Sequence, residues 1–335
     1  MLQNDRAAAW FVRSGIQEPS GGVARYHRTD LNRNLPVSTE ITGYAVSTFV
    51  YLREQAASIA AADYLVRMWD ARHEAMPFEE GAPYSYFFDN GIIVRGLVAI
   101  WRKTEFQPYL DTAVAIGRHM TRDFDNLRDF HPILSLPDKT PVERDPLRWS
   151  RAPGCYQLKA ASGWHELAEA SGDLGFFVPY ERMLRYSLEN WQDFLPGHAE
   201  RPKVMDRLHA FCYFLEGMLP RSHEPRCRLA IHDGLELAAG LARDIAPEFA
   251  RSDVWAQILR MRMYMEGFGI LALDREAAAY EAEQLQEFEA PDGGFWFGRR
   301  GGEWLPYINP VSTAFATQAL RMWATREATG VSDLI

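Results

Sequence analysis

His209, Tyr213 and Glu216 stand four and three residues apart in the segment HAFCYFLEGML. A helix there carries an imidazole, a phenol and a carboxylate on one face, while Phe211 and Phe214 point elsewhere. Such a trio can pass protons to and from a substrate, as a lyase or an epimerase requires. The same trio also reads as a hydrogen-bonded polar stripe, because buried polar groups need partners. Two further carboxylates, Glu40 and Asp89, stand near the starts of segments with helical periodicity. Placed across a cavity, two carboxylates are the minimum for glycoside hydrolysis, one as acid and one as base or nucleophile. A helix N-terminus favours the ionised form, so Asp89 suits a base or charge stabiliser better than a proton donor. The competing readings are an N-cap for Asp89 in Phe88-Asp89-Asn90-Gly91, and a capping box with Val37 or Ser38, or dipole matching, for Glu40.

Aromatic residues and arginines collect in stretches without helical periodicity. Tyr84, Tyr86, Phe87, Trp149, Phe295, Trp296, Phe297, Trp304 and Tyr307 can stack on flat ligand rings or line an apolar cavity, or else pin their loops down as a satellite core. Arg148, Arg151, Arg299 and Arg300 stand beside them; their forked guanidinium groups suit a carboxylate or phosphate on a ligand. The alternative for these is a surface set of ion pairs with Asp145 and Glu143. Tyr156, Lys159 and Asn309 complete the polar set at the first turns of other helical segments.

Positioning these groups falls to helices. Apolar residues recur with helical spacing along the whole chain, as in Ile41, Tyr44, Ala45, Thr48, Phe49 and Leu52, and no stretch keeps the period-two alternation of a sheet protein. Segments that are apolar nearly all round, such as Gly91 to Trp101, alternate with amphipathic ones such as Phe176 to Trp191. The first kind predicts inner helices near 38–55, 90–102, 154–170, 207–219, 253–270 and 310–326, and the second outer helices near 4–14, 57–73, 107–122, 174–193, 224–242 and 274–287. The spacing is that of a repeat architecture of about six helical hairpins, with the outer helix at 4–14 closing the ring as one domain spanning 1–335. Gly96, Gly163, Gly217 and Gly267 fall at similar depth in inner helices and fit close packing there.

A second repeat lies in the loops. Pro19-Ser20-Gly21-Gly22 leads to Pro36-Val37-Ser38-Thr39, and Pro291-Asp292-Gly293-Gly294 leads to Pro310-Val311-Ser312-Thr313. The two copies precede the first and last inner helices, and each Gly-Gly could open a small β-hairpin. Connections from inner to outer helix are short, whereas those entering inner helices are often long: 15–37, 75–89, 123–153, 194–206 and 288–309. Long loops gathered on one face mark that face as the site.

A formal charge of -9 argues against a broad nucleic-acid footprint. The start MLQNDRAAAWFVRSG lacks the apolar region of a secretory signal, and no run reaches membrane-spanning length, so a cytoplasmic protein without membrane insertion is expected. Cys155, Cys212 and Cys227, odd in number and without CxxC spacing, suit reduced thiols. No cofactor motif is found: a Gly-x-Ser-x-Gly elbow and a phosphate loop are absent, and Gly267-Phe268-Gly269 lies inside a helical segment rather than after a strand. Histidine pairs with metalloprotease spacing are missing, and Asp123-Phe124-Asp125 is a weak metal signal.

The Gly-Gly turn followed by aromatics and a helix opening with Ser-Thr, together with the hairpin period, resembles the α/α-toroid superfamily, which includes terpenoid cyclases, protein prenyltransferase β subunits and (α/α)6 carbohydrate-active enzymes. The resemblance implies an all-α (α/α)6 toroid with short β-hairpins in the loops of one face. The terpenoid cyclase branch has an aspartate-rich motif, here reduced to Asp123-Phe124-Asp125-Asn126, and the zinc-binding Asp, Cys and His of the prenyltransferases find no match. The sugar-active branch, which uses scattered carboxylates, His, Tyr and Arg at the loop-rich mouth, implies a hydrolase, lyase or epimerase acting on a sugar or oligosaccharide. Its catalytic groups are then Glu40, Asp89, His209, Tyr213 and Glu216, and its binding groups Tyr84, Tyr86, Arg148, Trp149, Tyr156, Trp296, Arg299, Arg300, Trp304 and Asn309. A non-catalytic toroid binding a glycan or a partner in polysaccharide assembly is the alternative, and prenyl chemistry a third.

Overall fold

The structure, a computed structural model, describes residues 3–197 and 200–335; Met1, Leu2, His198 and Ala199 lie outside it, the last two within the predicted 194–206 loop. The chain divides into two compact units. One comprises Gln17–Ala24 and Pro36–Trp191, the other Met1–Ile16, Arg25–Leu35 and Gln192–Ile335.

The first unit is built from the helices α2 (Thr39–Leu52), α3 (Gln55–Met68), α4 (Phe87–Thr104), α5 (Gln107–Asp123), α6 (Gln157–Ser171) and α7 (Phe177–Asn190). The helices α2, α4 and α6 pack side by side, and each turns sharply into its outer partner. Left-handed residues Arg53, Glu105 and Gly172 make those turns, and their N–H groups bond back to carbonyls of the final helical turn. Close packing rests on glycine. A Cβ on Gly96 would lie 2.5 Å from the carbonyl oxygen of Gly43, and one on Gly163 2.9 Å from that of Gly91. Gly96 and Gly163 thus do what their depth in the sequence predicts. Gly267 does not: its Cβ would meet Ala328, in the segment after the last helix, rather than a neighbouring inner helix.

The second unit contains α1 (Gln3–Arg13), α8 (Arg201–Gly217), α9 (Pro225–Ile245), α10 (Ser252–Gly267), α11 (Arg275–Gln286) and α12 (Pro310–Thr325). Here α10 lies against α8 and α12, with α9 and α11 outside and α1 against α12. The strands β1 (His27–Arg28) and β2 (Arg33–Asn34) form a hairpin extended by β11 (Tyr307–Ile308). The strands β8 (Phe249–Arg251), β9 (Gly298–Arg300) and β10 (Glu303–Trp304) form a second small sheet. The predicted inner and outer helices are therefore all present. The largest boundary difference is α8, which starts at Arg201 rather than near 207. Its first turns are Arg201-Pro202-Lys203, a polar opening that masks the helix, although proline is well placed at the start of one. Among the described residues no helix is long and apolar enough to cross a membrane.

The Gly-Gly repeat has one geometry in two places. Gly21 and Gly293 take φ of 91° and 96° and press against the backbones of Ala60 and Arg6, where a side chain has no room. The buried N–H of Val23 donates to Thr42 Oγ1 at 2.9 Å, and that hydroxyl donates to the Ser38 carbonyl at 2.7 Å. In the second copy Phe295 N–H donates to Thr313 Oγ1 at 2.9 Å, and Thr313 donates to the Asn309 carbonyl at 2.9 Å. The true counterpart of Thr313 is thus Thr42, not the Thr39 that the Pro-Val-Ser-Thr similarity suggests. Each threonine ties a loop to the first turn of an inner helix.

Within the first unit His119 on α5 is fully buried; its Nδ1 meets Asp123 at 2.7 Å and its Nε2 lies 3.4 Å from Ser85 Oγ, on β3 (Tyr84–Tyr86). Burial pushes its pKa down to about 4, against the pull of Asp123.

Two outcomes follow. Thr42→Val or Thr313→Val leaves a buried N–H without an acceptor and lowers unfolding free energy in denaturant titrations by about 1–3 kcal/mol, while Thr→Ser at either site recovers most of it. His119 binds its proton more weakly folded than unfolded, so its stability contribution is complete above pH 6.5 and is lost as pH falls toward 4. The wild-type minus His119→Asn difference in unfolding free energy shrinks over that window by up to about 3 kcal/mol; a difference independent of pH contradicts the buried neutral imidazole.

Candidate active site

In the second unit the start of α10 gathers the polar groups. Arg251, on β8, is the residue before the helix; it lies 6% exposed and clasps Asp253 through Nε at 3.0 Å and a terminal nitrogen at 2.6 Å. The strand β9 pairs with β8, with Arg251 opposite Gly298 and Phe249 opposite Arg300, which lays the 288–309 loop over this helix end. Ser252 fastens it further, its hydroxyl donating to the Trp296 carbonyl at 2.7 Å. The Phe297 ring lies 4.4 Å from the Arg251 guanidinium carbon, and Arg300 covers Phe249 at the same distance.

Facing this pair from α8 are Asp206 and His209. An Asp206 oxygen lies 3.7 Å from an Arg251 terminal nitrogen. Half-burial raises the Asp206 pKa; Arg251 and Arg300 oppose that shift and the Asp253 charge adds to it. His209 moves the other way. Desolvation, and then the charge of Arg251, push its pKa down to about 3, so the imidazole is neutral at ordinary pH. Tyr213 is buried one turn on, edge-on to His209 at 5.6 Å and to Phe315 at 6.4 Å. The cluster thus holds a carboxylate with a raised pKa, a neutral imidazole, a phenol, and a cation whose charge is already met by Asp253.

Glu216 lies about two turns beyond His209, fully buried, in an ion pair with Arg260 and 3.4 Å from Gln257 Nε2. Arg260 is itself buried, donating to Gln318 Oε1 at 3.0 Å and covering Phe315 at 4.0 Å. Asn309 is the N-cap of α12, its Oδ1 accepting from Val311 at 2.7 Å and Ser312 at 3.3 Å. Trp296 stacks on Trp304 with centroids 6.1 Å apart, Arg299 covers Trp304 at 5.4 Å and pairs with Glu287 at 3.2 Å, and Phe288 closes the group. Those residues fasten their loop to the end of α11, the satellite-core alternative.

In the first unit, Glu40 and Asp89 occupy first turns of α2 and α4. Tyr86, not Asp89, is the N-cap of α4, and Ser38 caps α2 without a side-chain bond, so Asp89 is a first-turn carboxylate rather than a cap. The loop before α4 is joined to α2 where the Thr39 N–H donates to the Phe78 carbonyl at 3.0 Å, and Phe78 meets Tyr86 edge-on at 5.4 Å. Tyr156 packs on Phe88 at 6.0 Å and on Trp149 at 5.1 Å, and donates to the Ala152 carbonyl at 3.2 Å. Burial keeps this phenol protonated, with the Asp89 charge contributing. Lys159 is buried with its Nζ 5.2 Å from the Tyr44 ring centre. Tyr84 is exposed on β3, and exposed Arg148 pairs with Asp145 at 3.6 Å, the surface alternative.

Two apparent sites dissolve on inspection. Ser85, His119 and Asp123 line up as a hydrolase relay would, but Ser85 is fully buried and its hydroxyl accepts from Asn90 at 3.0 Å, so no substrate reaches it. In Asp123-Phe124-Asp125 the first carboxylate is bound by His119, Arg122 and Lys139 and the second by Arg182, so the two serve ion pairs.

Asp206, Arg251 and Asp253 escaped the sequence reading. Asp253 stands in the first turn of a predicted inner helix, as Glu40 and Asp89 do. Asp206 needed the earlier start of α8.

No family model matches the chain, and no curated protein does. Solved structures do. A cellobiose 2-epimerase from Bacillus thermoamylovorans superposes with a TM-score of 0.73 at 8% identity, covering 95% of this chain and 98% of the other. A cellobiose 2-epimerase from Spirochaeta thermophila gives 0.72 at 12% identity, over 96% and 97%. A GH76 α-mannanase from Bacteroides thetaiotaomicron gives 0.65 at 12% identity, over 97% and 94%. Identity this low speaks for the fold alone, and the chain has the α/α-toroid fold.

Proposed function

We propose that the protein is an enzyme acting on a sugar or oligosaccharide by proton transfer, with its reaction centre at Asp206, His209, Tyr213, Arg251 and Asp253. The observation that carries this is the split in proton affinity between neighbours: Asp206 is raised and His209 is depressed around one buried cation. Groups whose environments push their pKa values apart are how acid and base roles are assigned. The fold neighbours include cellobiose 2-epimerases and a mannanase, which supports a sugar as substrate.

In this reading Asp206 takes a proton from the carbon beside a sugar carbonyl and delivers it to the former carbonyl carbon, while the hydroxyl proton of the first carbon passes to the carbonyl oxygen, so that aldose and ketose interconvert. Arg251, kept in place by Asp253, faces the negative charge that develops on the carbonyl oxygen. Neutral His209 and the Tyr213 phenol hold hydroxyls. One exchanging carboxylate on one side of the substrate favours isomerase chemistry within this cluster over hydrolysis, which needs two. Glu216 acts through Arg260 as a positioning residue. Glu40 and Asp89, with Tyr84, Tyr86, Arg148, Trp149 and Tyr156, are proposed as hydroxyl-binding groups of the first unit, and Trp296, Arg299, Arg300, Trp304 and Asn309 as supports of the 288–309 loop. The unbridged, buried cysteines support a reducing compartment, and we place the protein in the cytoplasm.

The test is incubation with reducing mono- and disaccharides in deuterated water, followed by NMR. Deuterium enters at the carbon beside the carbonyl with wild type, and Asp206→Asn lowers kcat by about 100-fold or more. Cleavage of a glycosidic bond without deuterium uptake makes the protein a hydrolase instead, and binding without turnover makes it a glycan-binding toroid. The pH profile is a second check. The acid limb of kcat/KM lies above the ordinary carboxylate range and is absent in Asp206→Asn, whereas His209→Asn leaves its position unchanged, since that imidazole is already neutral there. A limb that vanishes with His209→Asn reverses the assignment.

A further inference from the structure

A cavity of about 450 Å³ opens in the same unit between the last turn of α1, the β1–β2 hairpin and the Pro291–Gly294 turn. Its size is within the range of small-ligand sites, about 300–1,000 Å³. Trp10, Arg13, His27, Asn32, Asn34 and Asp292 are among its lining residues, and none belongs to the Asp206–His209 cluster.

Its polar groups are held in place. Asn34 Nδ2 donates to the Gly15 carbonyl at 2.9 Å, which fixes its Oδ1 as the acceptor for His27 Nδ1 at 3.0 Å. An amide oxygen only accepts, so His27 carries its proton on Nδ1, and in the neutral ring Nε2 is an acceptor. Asp292 does more than its turn requires. In the first copy of the Gly-Gly repeat the Ser20 hydroxyl alone accepts from Gly22 N–H at 3.3 Å. At the matching place Asp292 Oδ1 accepts from Gly294 N–H at 3.1 Å, and Oδ2 from the Trp10 indole N–H at 3.2 Å. A carboxylate with one donor on each oxygen keeps further lone pairs for ligand hydroxyls. Arg13, exposed in the last turn of α1, forms no ion pair with any described residue. A guanidinium with no carboxylate partner among the described residues, sharing a cavity with a carboxylate and the Asn32 amide, matches a ring that carries both hydroxyls and a carboxylate.

We propose that this cavity binds an acidic saccharide, a uronic acid unit or short uronide, with Arg13 on its carboxylate and Asp292, Asn32 and His27 on its hydroxyls. The site is independent of the proposed reaction centre, so either can fail without the other.

The test is isothermal titration of the full chain with digalacturonate, cellobiose and acetate, using wild type, Arg13→Ala and Asp206→Asn. Digalacturonate binds wild type and Asp206→Asn alike, Arg13→Ala weakens it about tenfold or more, and cellobiose binds more weakly than digalacturonate. Arg13 is exposed, so its variant folds as wild type, which far-ultraviolet circular dichroism checks. Four results overturn the proposal: no saturable digalacturonate binding up to ~10 mM, equal affinity in Arg13→Ala, loss of binding in Asp206→Asn, or acetate binding as tightly as the saccharide.

Discussion

An arginine keeps its charge at any ordinary pH, so one placed inside a protein obliges a carboxylate to go in with it. The second unit meets this demand three times along one helix. Arg251, Arg260 and Arg262 stand at or on α10, and all are buried. Arg251 is met by Asp253 at the same helix end, Arg260 by Glu216 from α8, and Arg262 by Glu281 from α11 at 2.9 Å together with Glu236 from α9. The two that cross to other helices, at Arg260 and at Arg262, fix the rotation of α10 against its neighbours. The first unit uses the same device once, where Arg95 on α4 meets Glu166 on α6 at 2.8 Å and Arg102 joins at 3.0 Å. Removing one partner of such a pair costs about 3–5 kcal/mol, whereas replacing a whole pair by apolar groups can be neutral. The pairs therefore specify which helix faces meet more than they add net stability.

The proposed chemistry follows from that arrangement. Asp253 already satisfies Arg251, so Asp206 is not required for neutrality and half-burial lifts its pKa. Desolvation, reinforced by the same cation, disfavours an imidazolium at His209. Burial thus moves the two neighbours' proton affinities in opposite directions, raising that of Asp206 against the pull of Arg251 and lowering that of His209 with its help. Phe297 and the β8–β9 pairing shield that cation from water, and the 288–309 loop that supplies them is itself pinned by the Thr313 hydroxyl.

Helix number and order were legible because burial leaves a period: inner helices are apolar all round and outer ones on one face. Boundaries failed where polarity hides a helix, as at Arg201-Pro202-Lys203, and Asp206 was lost with that turn. The Gly-Gly repeat was visible as a pattern, yet its register was misread, because Thr42 and Thr313 are matched by a hydrogen bond rather than by the flanking Pro-Val-Ser-Thr. Side-chain partners across long separations leave no trace in periodicity. Glu216 and Arg260 are 44 residues apart, and no spacing in the chain foretells their ion pair. The stacking of Trp296 on Trp304 is equally silent in the sequence.

The most direct measurement is a crystal structure of Asp206→Asn with a bound reducing sugar, the variant being chosen to stall turnover. A sugar carbonyl oxygen is expected within hydrogen-bond distance of Arg251, and a hydroxyl within that distance of His209. A sugar seated in the chain with neither residue in contact contradicts the proposed reaction centre.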